Sequence, residues 1–245
     1  MAKTYLTFDI ETIPQDWENF SESQKEYIIR RAENEEEAQR MKDEMALTPL
    51  TAQVICIGMQ MINEDDNGNC EITKKAAYAV DNSFDDNTKK EETLDLGDTC
   101  IITSERKMLE DFWRILNKYP KLHLISFNGR NFDAPFLMLR SAILKIRPSR
   151  NIMSGTKFNY PNHTDLIDEL TFFTPSYYGA TKRFNFDFYS RAFGIKSPKS
   201  EDIDGSKVKD YFKEGRILEI ADYCMRDVHA TWELFLLWKQ YLSFS

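Results

Sequence analysis

An α/β fold with a mixed sheet flanked by helices is what this chain predicts. Strand-like segments cluster in its first third, a continuous apolar run of strand length follows a well-capped helix, and the last third is mostly helix-forming. A length of 245 residues suits one sizeable domain with a full core. No internal repeat and no Pro/Ser-rich linker divides it, so residues 1–245 are expected to form a single domain.

Residues 4–12 alternate with period two. Tyr5, Thr7, Asp9 and Glu11 face one way, Leu6, Phe8 and Ile10 the other, and Pro14 closes the strand. Residues 16–46 are rich in Glu, Gln, Lys and Arg and contain no Gly or Pro, so a helix or helical pair is predicted as an insertion near 15–48. Its apolar stripe (Phe20, Tyr27, Ile28, Met41, Met45) is patchy, as for a helix lying over a surface. Residues 52–62 and 71–80 read as two strands joined by a turn containing Asn67-Gly68. The acidic, weakly patterned stretch near 81–100 reads as a mobile loop.

Ser104 can cap a helix running to about Asn117, with Phe112, Ile115 and Leu116 on its apolar side and Pro120 as its stop. The run 122–127 is almost continuously apolar, the mark of a strand buried on both faces. A loop at 128–131 leads to a helix over 134–146, with Pro135 in its first turn. A short strand at 162–166 and a helix follow. Further helices at 185–193 and 206–213 end at Gly194 and Gly215, and the last helix spans 216–238.

The net charge of −8 argues against a nucleic-acid partner, but its distribution does not. Basic against acidic side chains number 14 to 26 in residues 1–120, 12 to 5 in 121–200 and 6 to 9 in 201–245. The middle stretch holds Arg130, Lys145, Arg147, Arg150, Lys182, Arg183, Lys196 and Lys199. It either attracts phosphates through counterion release or only solubilises a surface. Four scattered cysteines without C-x-x-C spacing predict reduced thiols in a cytoplasmic setting. No apolar stretch is long enough to span a bilayer and no leader pattern opens the chain, so no membrane partner is expected.

Three segments carry the chemistry. Asp9 and Glu11, two apart on a strand, project from one face about 7 Å apart at the backbone. Ionised and unpaired on a central strand they would repel, and hard divalent cations such as Mg²⁺ or Mn²⁺ would relieve that. The alternative is an edge strand with a solvated polar face. Asp133 stands where a buried strand has ended and a helix begins, as an ordinary N-cap or as part of a crevice at the carboxyl ends of strands. Asn128 can bond a ligand or form the turn. Tyr223 and Asp227, spaced i, i+4 on the last helix, share one face, either as a site or as a core-edge pair. His229 lies half a turn away and reads as an ordinary helix residue, and His123 as a core histidine.

Taken in order, with their flanks, these residues resemble the DEDD 3′–5′ exonuclease superfamily in its tyrosine form, whose fold is ribonuclease-H-like. Asp9 and Glu11 match its Asp-x-Glu motif, Asn128, Phe132 and Asp133 its Asn-x-x-x-(Phe/Tyr)-Asp motif, and Tyr223 with Asp227 its Tyr-x-x-x-Asp motif. Closer still, the chain is similar to the stand-alone predicted 3′–5′ exonucleases related to the proofreading domain of family-B DNA polymerases. His163-Thr164-Asp165-Leu166, Gly194-Ile195 and Asp204-Gly205-Ser206-Lys207-Val208 carry the likeness further. No polymerase segment follows, so the chain does not read as a polymerase fragment.

The resemblance implies a five-stranded mixed sheet of order 3-2-1-4-5. It implies two divalent ions, Mg²⁺ or Mn²⁺, held by Asp9, Glu11, Asp133 and Asp227, with Tyr223 positioning the attacking water. Thr12, Phe127, Asn128 and Phe132 would seat the 3′ end of single-stranded nucleic acid, DNA favoured. The rivals are a non-catalytic nucleic-acid-binding or interaction module on the same fold, an RNA-directed exonuclease, and an endonuclease cutting within a duplex.

Overall fold

Twelve residues, Lys3–Pro14, form β1, the strand on which the sheet is centred. The structure is a computed structural model describing residues 3–196, 205 and 207–244. After β1 come a 3₁₀ turn, α1 (Glu22–Ile29), α2 (Glu35–Asp43) and a second 3₁₀ turn, Glu44–Leu47. Ser21 and Asn34 cap the two helices through the N–H groups of Gln24 and Glu37. The helical reading of this stretch therefore holds as two short helices. It is tied down by Thr12 Oγ1 donating to Ala46 O at 2.8 Å and Thr51 Oγ1 to Met45 O at 2.8 Å.

The chain then builds an antiparallel meander: β2 (Ala52–Glu64) beside β1 and β3 (Cys70–Val80) beside β2. The stretch expected to be a loop near 81–100 holds β4 (Lys90–Thr93) and leads into β5 (Thr99–Thr103), which lies parallel to β3. After α3 (Glu105–Lys118), β6 (His123–Ser126) pairs parallel to β1. α4 (Asp133–Ile143) and β7 (His163–Asp165) follow, then α5 (Leu166–Leu170), α6 (Phe186–Ala192), α7 (Val208–Lys213) and α8 (Ile217–Tyr241).

The sheet has seven strands in the order β4-β5-β3-β2-β1-β6-β7. Five of them, β3-β2-β1-β6-β7, reproduce the expected 3-2-1-4-5 order. The correction is the extra pair at the β3 edge. β4 is a run of Lys90, Glu91, Glu92 and Thr93, a charged edge strand of the kind that discourages further pairing and carries no apolar alternation to read. Lys199, Asp204 and Ser206 lie outside the described residues.

β1 is buried on both sides. Phe8 meets Phe112 of α3 with ring centroids 6.2 Å apart, while on the other face Tyr5 packs against Trp232 and Phe235 of α8 at 5.9 and 5.4 Å. α8 lies over β1, β2 and β3. The β4–β5 turn braces it twice. Asp222 accepts from the N–H groups of Asp95 and Leu96 at 3.2 and 3.4 Å. Asp98, only 2% exposed, places one oxygen 2.7 Å from Lys75 Nζ and the other 3.1 Å from His229 Nε2. His229 thus sits against a buried carboxylate, and burial lowers its pKa. Asp98→Ala leaves Lys75 and His229 facing a void. Urea unfolding is expected to lose about 1–3 kcal/mol, with faster proteolysis within residues 81–103 than elsewhere.

Candidate active site

β6 pairs with β1 through Tyr5, Leu6 and Thr7, and beyond that point β1 continues without it. The loop after β6 fills the gap. Ile10 N–H donates to Asp133 Oδ1 at 3.0 Å, a buried bond between residues 123 apart in sequence. Asp133 therefore does not cap its helix. The N-cap position is Phe132, with no side-chain cap bond, and the Asp133 carboxylate serves β1 instead.

Two features hold that loop. Asn128 takes a left-handed backbone, φ 64°, and its N–H donates to Asp165 Oδ1 at 2.7 Å, while Arg130 N–H donates to Asp165 Oδ2 at 2.8 Å. Gly129 is required sterically, since a Cβ there would collide with Ser126 Oγ and come within 3.4 Å of Asp133 Oδ2. Asp165 also caps α5 through Ile167 N–H. The buried His163 shares a 2.8 Å hydrogen bond with Ser126 Oγ just before the loop. His123, expected in the core, is half-buried at the start of β6 and shares a 2.8 Å hydrogen bond with Thr164 Oγ1.

From the opposite side α8 descends onto Gly58, the residue paired with Asp9. A Cβ on Gly58 would lie 2.9 Å from both Cys224 Sγ and Val228 Cγ2 and 3.3 Å from Cys224 O. This close approach sets the depth of Tyr223 and Asp227. Cys224 Sγ donates to Asp9 O at 3.5 Å, joining α8 to β1 directly. The β1–β2 register skips Ile55 between Glu11 and Thr12, a bulge immediately beside the acids.

The consequence is electrostatic. Burial, then the charges of Asp133, Asp227 and Glu11, hold Asp9 well above the ordinary carboxylate range. Burial followed by Asp227, the Cys56 thiol and Asp133 does the same to Glu11. Burial pushes Asp133 up to about 7, with Asp165 and Asp227 adding to it. Tyr223 is raised above its usual value by burial and by Asp227, Glu11 and Asp9, and its hydroxyl is hydrogen-bonded to Asp227. The four acids and the tyrosine thus sense one another.

Ligand atoms of Asp9, Glu11 and Cys224 all lie within 4.8 Å of one another. The thiol, held protonated by burial and by the Cys56 hydrogen bond, serves as a donor beside Asp9. Asp133 and Asp227 stand outside that triangle and act on it through charge. An oxygen-rich, electron-dense donor set of this kind suits a hard divalent cation.

The expected substrate residues are engaged in the scaffold. Thr12 Oγ1 is bonded to Ala46 O. Phe127 packs against Phe186 and, edge-on, against Tyr189 of α6 at 4.7 and 5.4 Å, and Phe132 packs against Phe136 at 5.5 Å. Beyond Thr12 and Pro14, polar clefts of about 920 and 560 Å³ run between α2, β1 and α7, where Lys209 bridges to Asp43 at 3.1 Å. An apolar cavity of about 490 Å³ under α3, lined by Leu6, Met59 and Tyr78, belongs to the other face of the sheet.

The basic stretch is partly internal. Arg130 donates to the carbonyls of Ile152 and Ser154, Arg150 to those of Tyr119, Pro120 and Leu122, and Arg183 pairs with Asp168. All four cysteines are free thiols, and among the described residues no helix is long and apolar enough to cross a membrane. Gly58 is the positioning residue the motifs did not single out, whereas Asp165 stands in the His163–Leu166 segment that carried the family likeness. Gly58 left a signal, since a glycine inside an apolar strand marks a close approach.

The fold is α/β, a seven-stranded mixed sheet flanked by helices. The same fold is found in the family B DNA polymerase from the hyperthermophilic archaeon Pyrobaculum calidifontis, with a TM-score of 0.55 and 16% identity. The likeness covers 96% of this chain and 24% of the polymerase, so the chain spans about a quarter of that protein's length. A family described as predicted 3′–5′ exonucleases related to the exonuclease domain of PolB matches residues 73–243, and the chain belongs to it. That span includes Asp133, Tyr223 and Asp227 and begins after Asp9 and Glu11.

Two predictions follow from this geometry. Gly58→Val drives α8 away from β1. It should lower nuclease activity well beyond its overpacking cost of about 1–3 kcal/mol, measured by initial rates alongside urea unfolding. The second concerns pH. Between 3.8 and about 7 the folded, metal-free protein keeps a proton on Asp133 that the unfolded chain has lost. Stability after EDTA treatment should therefore fall as pH rises through that window. Added Mn²⁺ should reverse the loss most at the alkaline end; a flat or rising EDTA profile contradicts the geometry.

Proposed function

We propose that this chain is a divalent-cation-dependent 3′–5′ exonuclease acting on single-stranded nucleic acid, DNA favoured, and releasing nucleoside 5′-monophosphates. The observation that carries the reading is the gathering of four carboxylates and one phenol where α8 and the loop after β6 close on β1. Asp9, Glu11, Asp133 and Asp227 would hold two Mg²⁺ or Mn²⁺ ions. Once bound, such ions neutralise phosphate charge and make water a stronger nucleophile.

The remaining roles fall to the chain's own side chains. Asp9 and Glu11 supply a fixed pair of oxygens from a strand buried on both faces. Asp133 is oriented by Ile10 N–H, which ties its carboxylate to β1 beside Asp9 and Glu11. Tyr223, whose phenol is made harder to deprotonate and is bonded to Asp227, orients the attacking water rather than taking its proton. Thr12 and Asn128 through their backbone groups, and the edges of Phe127 and Phe132, would seat the terminal nucleotide. The whole chain would act as one catalytic domain, in the cytoplasm, where its thiols stay reduced.

The test is degradation of a 3′-labelled oligonucleotide with Mg²⁺ or Mn²⁺, run in parallel on matched DNA and RNA and on a circular substrate. Mononucleotide release from linear strands only is expected. Asp9→Ala and Asp227→Ala should each lower the rate about 10²-fold or more, and Tyr223→Phe less than either. Full activity in Asp9→Ala, or opening of the circle, would overturn the assignment.

A further inference from the structure

The stretch between α5 and α6 differs in kind from the rest of the chain. Residues 171–186 contain none of the chain's 40 acidic side chains, yet hold six aromatic rings together with Lys182 and Arg183. Several rings stand in solvent: Tyr178 is 94% exposed, Tyr177 77%, Phe172 59% and Phe184 43%, and Phe188 at the start of α6 is 58% exposed. So much apolar surface on one segment marks an interaction site.

The backbone at the head of this segment is tightly constrained, with Phe172 exposed and Phe173 turned against Tyr160 at 5.9 Å. Phe172 and Phe173 both adopt left-handed conformations, φ 51° and 55°, which bulky L residues rarely take. Their N–H groups are fixed to Glu169 O and Asp168 O at 3.0 and 2.8 Å, and Arg183 pairs with Asp168, pinning the returning strand of the loop to α5. Lys182 Nζ rests 5.2 Å from the Phe184 ring centroid and 6.0 Å from that of Tyr177, so a cation lies among the exposed rings.

Both ends of the segment are anchored on the loop that carries Asp133. At its start, Asp165 caps α5 and accepts the N–H groups of Asn128 and Arg130. At its end, Phe186 and Tyr189 pack against Phe127. The aromatic surface is therefore continuous with the site's own scaffold.

We propose that this surface is a stacking platform for the single strand that leads to the scissile 3′ end, an inference that rests on the exonuclease reading above. Every base has a π-face, so stacking on exposed rings binds a strand without regard to sequence, and Lys182 meets its phosphates. The lack of carboxylates removes the repulsion that a polyanion would meet on most of this acidic chain. That charge pattern favours a nucleic acid over a protein partner, for which acids would be no hindrance.

The test uses the full chain and its Tyr177→Ala/Tyr178→Ala double variant, with Lys182→Gln and Tyr177→Phe/Tyr178→Phe beside them. Anisotropy is measured on labelled oligothymidylates of about 4 and about 16 nucleotides in Ca²⁺, and turnover of the same strands in Mn²⁺. The alanine variant should bind the longer strand about tenfold or more weakly and raise its KM, with the shorter strand and kcat unchanged. The phenylalanine variant should retain affinity, and Lys182→Gln should flatten the salt dependence by about 0.7 in log–log slope. An active wild type whose alanine variant binds and degrades the longer strand normally overturns the platform and leaves the exonuclease standing. A wild type that neither binds nor degrades either strand overturns both.

Discussion

Carboxylates resist being gathered, and the C-terminal half of β1 gathers four. Two unit charges about 4 Å apart repel by about 4 kcal/mol at an effective dielectric near 20, a large part of the 5–15 kcal/mol that usually holds a domain together. Burial and this mutual repulsion together displace Asp9, Glu11 and Asp133 upward, so the acids favour their protonated forms. The bonds that hold them in place do not depend on that charge being favourable. Ile10 N–H grips Asp133, Cys224 grips the Asp9 carbonyl, and Gly58 leaves room for α8.

Much of the remaining architecture serves to hold α8 and one loop against β1. The β4–β5 turn, through Asp98 and the N–H groups of Asp95 and Leu96, meets the first half of α8 at Asp222 and His229. Asp165 fixes the loop at Asn128 and Arg130, so a residue far from the acids in sequence decides where Asp133 stands. The helical stretch after β1 closes the far side through Ala46 and the Asp43–Lys209 pair. This leaves a polar cleft at the end of the strand that bears Asp9 and Glu11. Precision at the site is thus produced by elements that carry none of its functional groups.

Features that depend on local periodicity were readable in the sequence. The alternation of residues 4–12 put Asp9 and Glu11 on one face, the i, i+4 spacing put Tyr223 beside Asp227, and turn and capping residues marked most element ends. What depends on the choice of a distant partner was not. Asp133 looked like a helix cap and serves β1 instead. Arg130, Arg150 and Arg183 read either as a phosphate-attracting patch or as a solubilising surface, and are instead bonded to carbonyls or to Asp168. β5 is a case between the two: Thr99, Ile101, Ile102 and Thr103 are a β-branched run, but they follow an acidic stretch whose charge masked the strand beside it.

Locating the cation is the most direct test of this account. Crystals soaked in Mn²⁺ and measured for anomalous scattering should show density in contact with Asp9 and Glu11, on the side facing Asp227. Density found only elsewhere, or none at saturating Mn²⁺ in a crystal whose Asp9 and Asp227 are ordered, would contradict the claim that these acids are assembled for a metal.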